Sequence, residues 1–235
     1  MPSLESVQAD LVAANRILAS HDVVDAFGHV SARHPDNQGN FLLSRSRSPE
    51  LVESNDILEF SANGEPVMPN GPAVYAERFI PAAIYEARPD VGAVVHSHAI
   101  AVLPFSITGV PLRPVAHVAA TIGEAPPVWD SATEFGDTDL MVRSMTVAHS
   151  LARMLGDRPA ALMRGHGSVV ARSDLRSVVF TAIYLQVNAE LLWRSISLGQ
   201  PRYLSRGEIE RASELALNQF ALDRAWEYWV RKAGP

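Results

Sequence analysis

The hydrophobic residues of this chain follow helical and strand-like periodicities in turn along its length. Helical spacing of apolar residues predicts helices over residues 4–19, 74–88, 138–155, 173–197 and 206–231. Short apolar or alternating runs between turn residues predict strands over residues 27–33, 41–44, 57–60, 91–98, 112–118, 160–164 and 168–171. No linker or fixed repeat divides the chain, so we expect one α/β domain over residues 1–235, with helices flanking a mainly β centre.

Two histidines close the most apolar of these predicted strands. Four apolar residues and a glycine lead from residue 91 directly into His96 and His98. Alternate residues of a strand share one face, so both imidazoles project to the same side. Neutral imidazoles in this arrangement suit a shared divalent cation, because protonated rings would repel each other. A bare His-x-His pair is a weak motif, and two unrelated, partly exposed histidines remain the alternative.

A third histidine and one glutamate extend this pair into a possible metal centre. His166 lies between two glycines, which permit a tight turn and close backbone approach at a strand end. Glu77 precedes the His-x-His strand near the start of a predicted helix, where it is either a fourth ligand, an acid–base group or a solvated carboxylate. Three neutral imidazoles form an incomplete shell for Zn²⁺, Mn²⁺, Fe²⁺ or Co²⁺ and leave positions for substrate.

The composition of the chain argues against several classes of function. The formal net charge is −6, from 20 Lys and Arg against 26 Asp and Glu, and no basic run suggests a nucleic-acid surface. The chain has no cysteine, so any metal must bind His, carboxylate or water. No apolar run approaches the roughly 20 residues that span a bilayer, and residues 1–5 lack the order of a signal peptide. We therefore expect a cytoplasmic protein that acts on a small molecule.

The order of these motifs resembles that of the class II aldolase and adducin family. The resemblance runs from the first predicted helix to about residue 199. It rests on Gly28-His29-Val30-Ser31, Glu77, Arg88-Pro89-Asp90-Val91, His96-Ser97-His98 and Gly165-His166-Gly167.

The resemblance implies both a fold and a site. The implied fold is a single α/β/α domain around a mostly antiparallel sheet, and catalytic members are commonly cyclic homotetramers with the site near a subunit boundary. By the same resemblance, His96, His98 and His166 are the ligands of a divalent metal, with Mn²⁺ favoured. Glu77 is then the acidic catalytic residue or the fourth ligand.

Three departures from the sugar-phosphate aldolases of the family bear on the substrate. His29 replaces their asparagine, Tyr75-Ala76 replaces two serines before the glutamate, and Pro81 replaces a frequent histidine. The missing hydroxyl donors argue against a phosphorylated substrate.

Basic and hydroxyl residues suggest a carboxylate substrate in its place. Arginine forks hold carboxylates in bidentate fashion, so we expect His29, Ser44, Arg45 and Arg47 to bind substrate. A solvated surface loop is the alternative for the two arginines. His117 is a further candidate, either as a proton donor or as a histidine packed in the core.

The variant pattern, Ala26 to Ser31 with Leu43 to Ser46, resembles the metal-dependent aromatic decarboxylases of this family. This implies a decarboxylase of 3-hydroxy-2-methylpyridine-4,5-dicarboxylate, in vitamin B6 degradation, or of 3,4-dihydroxyphthalate, with the pyridine compound preferred. Decarboxylation and retro-aldol cleavage both need an electron sink for a developing carbanion. An aldolase or epimerase of a small unphosphorylated hydroxy-carbonyl compound is therefore the main alternative. A non-catalytic, adducin-like interaction domain is the third.

Overall fold

The computed structural model describes residues 3–234, so Met1, Pro2 and Pro235 lie outside it. The first two belong to the N-terminal stretch in which no signal peptide is expected. The helices are α1 (Leu4–Ser20), α2 (Phe79–Ala87), α3 (Leu103–Ile107), α4 (Ala132–Phe135), α5 (Met145–Leu155), α6 (Leu175–Leu198), α7 (Arg206–Ala216) and α8 (Gln219–Ala233). The strands are β1 (His29–Arg33), β2 (Phe41–Ser44), β3 (Ile57–Phe60), β4 (Ala93–Ser97), β5 (Val128–Trp129), β6 (Ala160–Met163) and β7 (Gly167–Arg172).

All seven of these strands form one sheet in the order β3-β2-β1-β4-β7-β6-β5. Five of the six neighbouring pairs are antiparallel, and β5 with β6 is the parallel pair. Strand β4 therefore lies at the centre, between β1 and β7. This placement fixes the strand that carries the two histidines within the core of the molecule.

Alternate residues of the strands face two separate hydrophobic clusters. Val95 of β4 packs in a cluster with α1, α6 and α8, whereas its neighbour Val94 packs in a second cluster with α2 and α5. The period of two along a strand produces this division. Helices thus cover both faces of a mostly antiparallel sheet, which confirms the predicted fold class.

The helix predicted over residues 74–88 begins later, at Phe79. A helix from residue 74 would need a backbone hydrogen bond from position 81 to position 77, and Pro81 has no N–H group. Beginning at Phe79 places Pro81 in the first helical turn, where no such donor is required. Glu77 therefore lies in the turn that precedes the helix and not within its first turn.

The strand predicted over residues 112–118 is wrong. Pro111 and Pro114 remove backbone donors from this stretch, and the buried Asn188 of α6 takes the place of a partner strand. The Asn188 side chain accepts from the Val115 N–H at 2.9 Å and donates to the Arg113 carbonyl at 2.9 Å. A 3₁₀ helix, His117–Ile122, follows.

Two further expectations need correction. Residues 124–136, where the residue pattern predicts neither a helix nor a strand, contain the edge strand β5 and the short helix α4. The helix predicted over residues 206–231 is two helices, because the Asn218 side chain accepts from the Ala221 N–H and caps the start of α8. Among residues 3–234, no helix is long and apolar enough to cross a membrane.

Candidate metal centre

The central strand supplies two of the candidate ligands. His96 lies on β4 on the same face as Val94, beneath α2, and is almost fully buried. His98 follows the end of that strand and is partly exposed. In the antiparallel pairing of β1 with β4, His29 is the direct Cα partner of His96.

The turn between β6 and β7 supplies the third histidine. Gly165 adopts a left-handed backbone with φ of 65°. At Gly167, a Cβ atom would lie 2.0 Å from the Ser97 carbonyl oxygen, so only glycine allows the turn to approach β4 this closely. His166 between them is thereby held beside His98, as the two flanking glycines predicted.

Glu77 reaches the same point from the turn that precedes α2. Its carboxylate is buried, and Oε1 accepts a hydrogen bond from the Val142 backbone N–H at 2.9 Å. The second oxygen, Oε2, lies 3.3 Å from His96 Nε2 and 3.4 Å from His166 Nε2. One carboxylate oxygen is thus fixed by the backbone and the other faces the histidines.

The four side chains converge on one point. His98 Nε2 lies 3.1 Å from the Nε2 atoms of both His96 and His166. One atom from each of Glu77, His96, His98 and His166 lies within 4.8 Å of the others. Three imidazole nitrogens and a carboxylate oxygen form a donor set that suits Zn²⁺, Mn²⁺, Fe²⁺ or Co²⁺.

Two backbone carbonyls orient the imidazoles. His96 Nδ1 lies 3.1 Å from the Ser168 carbonyl oxygen, and His166 Nδ1 lies 2.9 Å from that of Leu140. A carbonyl can only accept, so both Nδ1 atoms carry the proton and, in the neutral rings, both Nε2 lone pairs point inward. These two lone pairs point toward His98 Nε2, which lies 3.1 Å from each nitrogen, and a cation between them would stabilise this arrangement. The residues present therefore fit a bound metal.

The electrostatics of the cluster favour a neutral His98 beside an ionised Glu77 carboxylate. Burial and the neighbouring His96 and His166 lower the pKa of His98 to about 4. Burial alone would raise the pKa of Glu77, but the charges and hydrogen bonds of His96 and His166 outweigh it and lower that pKa. Burial likewise opposes protonation of His166, yet its hydrogen bond with Glu77 raises the His166 pKa overall. A divalent metal bound here would therefore compete with protonation of His166.

The cluster opens into a cleft of about 460 Å³. Three of the predicted ligands, His96, His98 and Glu77, lie in its wall. The lining residues are Ala26, Phe27, Gly28, His29, Ser46, Arg47, Ser48, Tyr75, Ala76, Glu77, His96, His98 and Met141.

His29 is the predicted substrate residue nearest to the cluster. It is buried, its ring centroid lies 5.0 Å from that of Tyr75 and 5.3 Å from that of His96, and neither ring nitrogen has a hydrogen-bond partner. Burial and the neighbouring His96 lower the pKa of His29 to about 3. A neutral imidazole with free donor and acceptor sites therefore lines the cleft.

The two predicted arginines are held by a residue that the sequence analysis did not single out. Arg45 Nε lies 2.5 Å from one oxygen of the buried Asp56, and an Arg47 guanidinium nitrogen lies 2.6 Å from the other. Arg47 still lines the cleft, whereas Arg45 is not among the lining residues. Sequence spacing gave no sign of Asp56, because it lies beyond the arginine loop in a 3₁₀ turn.

The remaining two predicted residues lie outside the cleft lining. Ser44 is fully buried and donates a hydrogen bond of 3.4 Å to the Tyr75 hydroxyl, which in turn donates to the Arg47 carbonyl. His117 is exposed at the start of the 3₁₀ helix. The structure thus places His29 and Arg47 in the cleft wall and leaves Ser44, Arg45 and His117 outside it.

Comparison with known proteins places this geometry in a family. The family model for the class II aldolase and adducin N-terminal domain matches residues 9–193. The chain belongs to this family. The match spans the three histidines, Glu77 and the whole sheet.

Decarboxylases are among the family members that this chain resembles. It is 36% identical to the decarboxylase tropJ of Talaromyces stipitatus, over 92% of this chain and 90% of that protein. It is 28% identical to a 3,4-dihydroxyphthalate decarboxylase of Arthrobacter keyseri, over 79% and 77% of the two chains. Sugar-phosphate aldolases also match, at 28% and 29% identity.

Solved structures confirm the class II aldolase fold. An aldolase II superfamily protein from Pseudomonas syringae superimposes with a TM-score of 0.81 at 22% identity, covering 99% of this chain and 94% of that one. The predicted membership of the family, with decarboxylases among its relatives, is therefore confirmed.

Proposed function

We propose that this protein is a divalent-metal-dependent decarboxylase of an ortho-hydroxy aromatic or pyridine dicarboxylate. The observation that carries the proposal is the convergence of three imidazole Nε2 atoms and one Glu77 oxygen at a cleft walled by aromatic rings. The 36% identity to the tropJ decarboxylase supports the choice of reaction. The ligands are His96, His98, His166 and Glu77, and Mn²⁺ is the favoured ion.

The proposed roles of the residues follow from where negative charge develops during decarboxylation. A divalent ion bound by the four ligands would supply the electron sink for the ring when the bond to the departing CO₂ breaks. Glu77 lies beside that point with one oxygen fixed by the Val142 N–H, so its other, ionised oxygen is placed to take the proton of the substrate hydroxyl and pass it to the ring carbon as CO₂ leaves. His29 offers a neutral N–H to a second substrate carboxylate, and Arg47 approaches the same cleft.

The substrate we favour is 3-hydroxy-2-methylpyridine-4,5-dicarboxylate, an intermediate of vitamin B6 degradation, followed by 3,4-dihydroxyphthalate. Both carry a hydroxyl beside a carboxylate and a second carboxylate on the ring. Tyr75-Ala76 stands before Glu77 without the two hydroxyls that a phosphate would need. We further propose that the enzyme acts in the cytoplasm as a homotetramer with its site near a subunit boundary.

The test is CO₂ release by the Mn²⁺-loaded protein from a panel of hydroxylated aromatic and pyridine dicarboxylates. Turnover of at least one compound, lost on addition of a chelator, is the expected result. If none of the compounds releases CO₂ although Mn²⁺ is shown to be bound, the proposed decarboxylation is refuted.

A second candidate is an aldolase or epimerase of a small unphosphorylated hydroxy-carbonyl compound. The hydroxyl-bearing Ser46 and Ser48 line the cleft, and sugar-phosphate aldolases match the chain. Release of an aldehyde rather than CO₂ would identify this activity. The complete four-ligand cluster disfavours the third candidate, a non-catalytic adducin-like domain.

A further inference from the structure

A continuous row of aromatic rings crosses the metal centre. Ring centroids are 5.0 Å apart for Tyr75 and His29, 5.3 Å for His29 and His96, 4.8 Å for His96 and His98, and 6.4 Å for His98 and Phe27. Tyr75 and Phe27 therefore stand at the two ends of the row. Tyr75 is held by Ser44 and Arg47, whereas no such contact accounts for the Phe27 ring.

Phe27 is unusual because its ring is 66% exposed while its backbone is held in place. The Phe27 N–H donates to Asp25 Oδ1 at 2.8 Å, and its carbonyl accepts from the Asp25 N–H at 3.2 Å. The next residue, Gly28, has φ of 90°, and a Cβ there would lie 3.0 Å from the His96 carbonyl. The loop is thus pressed against the ligand-bearing strand, and it presents an apolar ring at the cleft.

We propose that Phe27 is the residue that selects a planar aromatic substrate by stacking on its ring. The proposal rests on the function proposed above and deepens it, because it assigns recognition of the substrate ring to one side chain. Aromatic rings pair favourably in offset or tilted arrangements with centroids about 4.5–7 Å apart. The Phe27 ring already lies 6.4 Å from a candidate metal ligand, so a ring whose oxygens reach the metal lies within its range.

An exposed apolar side chain that a fixed loop holds beside a polar site is typical of a ligand contact. A flexible aliphatic acid with the same two carboxylates gains nothing from a stacked ring. Phe27 should therefore separate aromatic from aliphatic dicarboxylates, while His29 and Arg47 respond to the carboxylates of both.

The test compares two unreactive probes, phthalate and succinate, on the Mn²⁺-loaded protein by titration calorimetry. Wild type should bind phthalate more tightly than succinate. Phe27→Ala should weaken phthalate binding about tenfold, from the loss of one stacked ring pair, and leave succinate binding unchanged. Phe27→Tyr should restore phthalate binding. Phe220→Ala is the matched control, because Phe220 is also exposed, at 76%, but lies on α8.

Three outcomes would overturn the proposal: no preference of wild type for phthalate, equal weakening of both probes by Phe27→Ala, or loss of an oligomer in that variant. The last, measured by light scattering, would assign Phe27 to a contact between subunits. The mid-point of urea unfolding shows whether the variant folds, and Phe27→Leu replaces it if it does not. Failure of the proposed reaction can be told apart from failure of this proposal. If no CO₂ is released while the preference for phthalate is intact, decarboxylation alone is refuted.

Discussion

One polar cluster lies at the cleft and a second reaches it through Arg47, and the two differ in what their charged groups already contact. In the histidine cluster, three Nε2 atoms and one Glu77 oxygen face one another with no protein cation between them. In the arginine cluster, Arg45 and Arg47 close on the two oxygens of Asp56. The difference teaches that residue type alone does not identify a ligand-binding group. The group must also lack a partner within the fold.

Removal of one ligand from the histidine cluster should have the largest effect. His96→Ala should lower Mn²⁺ affinity by at least a hundredfold and abolish turnover, because one of four ligands is lost and His29 becomes the neighbour of a cavity. Mn²⁺ titration followed by electron paramagnetic resonance measures the affinity. The exposed His149, which pairs with Glu86, gives the control His149→Ala. Equal Mn²⁺ affinity of His96→Ala and wild type would refute the metal centre.

A substitution in the arginine cluster should lower the free energy of unfolding and leave metal binding unchanged. Asp56→Asn removes the charge that both arginines and the Glu53 backbone N–H contact, so the free energy of unfolding should fall by about 2–3 kcal/mol. Urea unfolding measures this change, and Mn²⁺ affinity should stay at the wild-type value. Glu53→Gln is the matched control, because that exposed carboxylate lies 3.5 Å from Arg47 and adds little. A variant Asp56→Asn of full stability would show that the arginines are free to bind substrate.

The sequence predicted the features of the site that depend on strand period and glycine turns. The shared direction of His96 and His98 follows from alternation along and just beyond β4, and the glycines beside His166 indicated a tight turn with a close backbone approach, which the structure places at Ser97. The same local signals predicted helices around a mainly β centre, because neighbouring residues determine these features. The α/β/α layers and the mostly antiparallel sheet were expected from the resemblance to the family.

The features that sequence reasoning missed are backbone groups and distant partners. The Leu140 carbonyl orients His166, and the Val142 N–H holds Glu77, although neither side chain carries chemistry. Leu140 adopts a left-handed backbone with φ of 66°, which leucine rarely does and which no residue pattern announces. Asp56 was missed for a related reason, since only the folded chain brings it between two arginines.

The smallest expected effect concerns His29, which belongs to neither cluster and has a free ring in a buried position. Its pKa is about 3 in the folded chain against 6.5 as the ordinary value, so the unfolded chain binds more protons between these two pH values. The free energy of unfolding should therefore fall as pH drops below 6.5 and level off below about 3. From pH 7.5 to 5.5, the His29 contribution to this fall should be on the order of 1 kcal/mol.

Urea unfolding of the metal-free protein at these two pH values isolates this contribution when wild type is compared with His29→Asn. Wild type should lose on the order of 1 kcal/mol more than the variant, because asparagine does not titrate. His117→Asn is the control and should behave as wild type, since the His117 ring is exposed to solvent. Equal losses in wild type and His29→Asn would mean that His29 takes up its proton in the folded chain. A cationic His29 would then join Arg47 as a charged partner for substrate carboxylates, and the contrast between partnered arginines and neutral histidines would no longer hold.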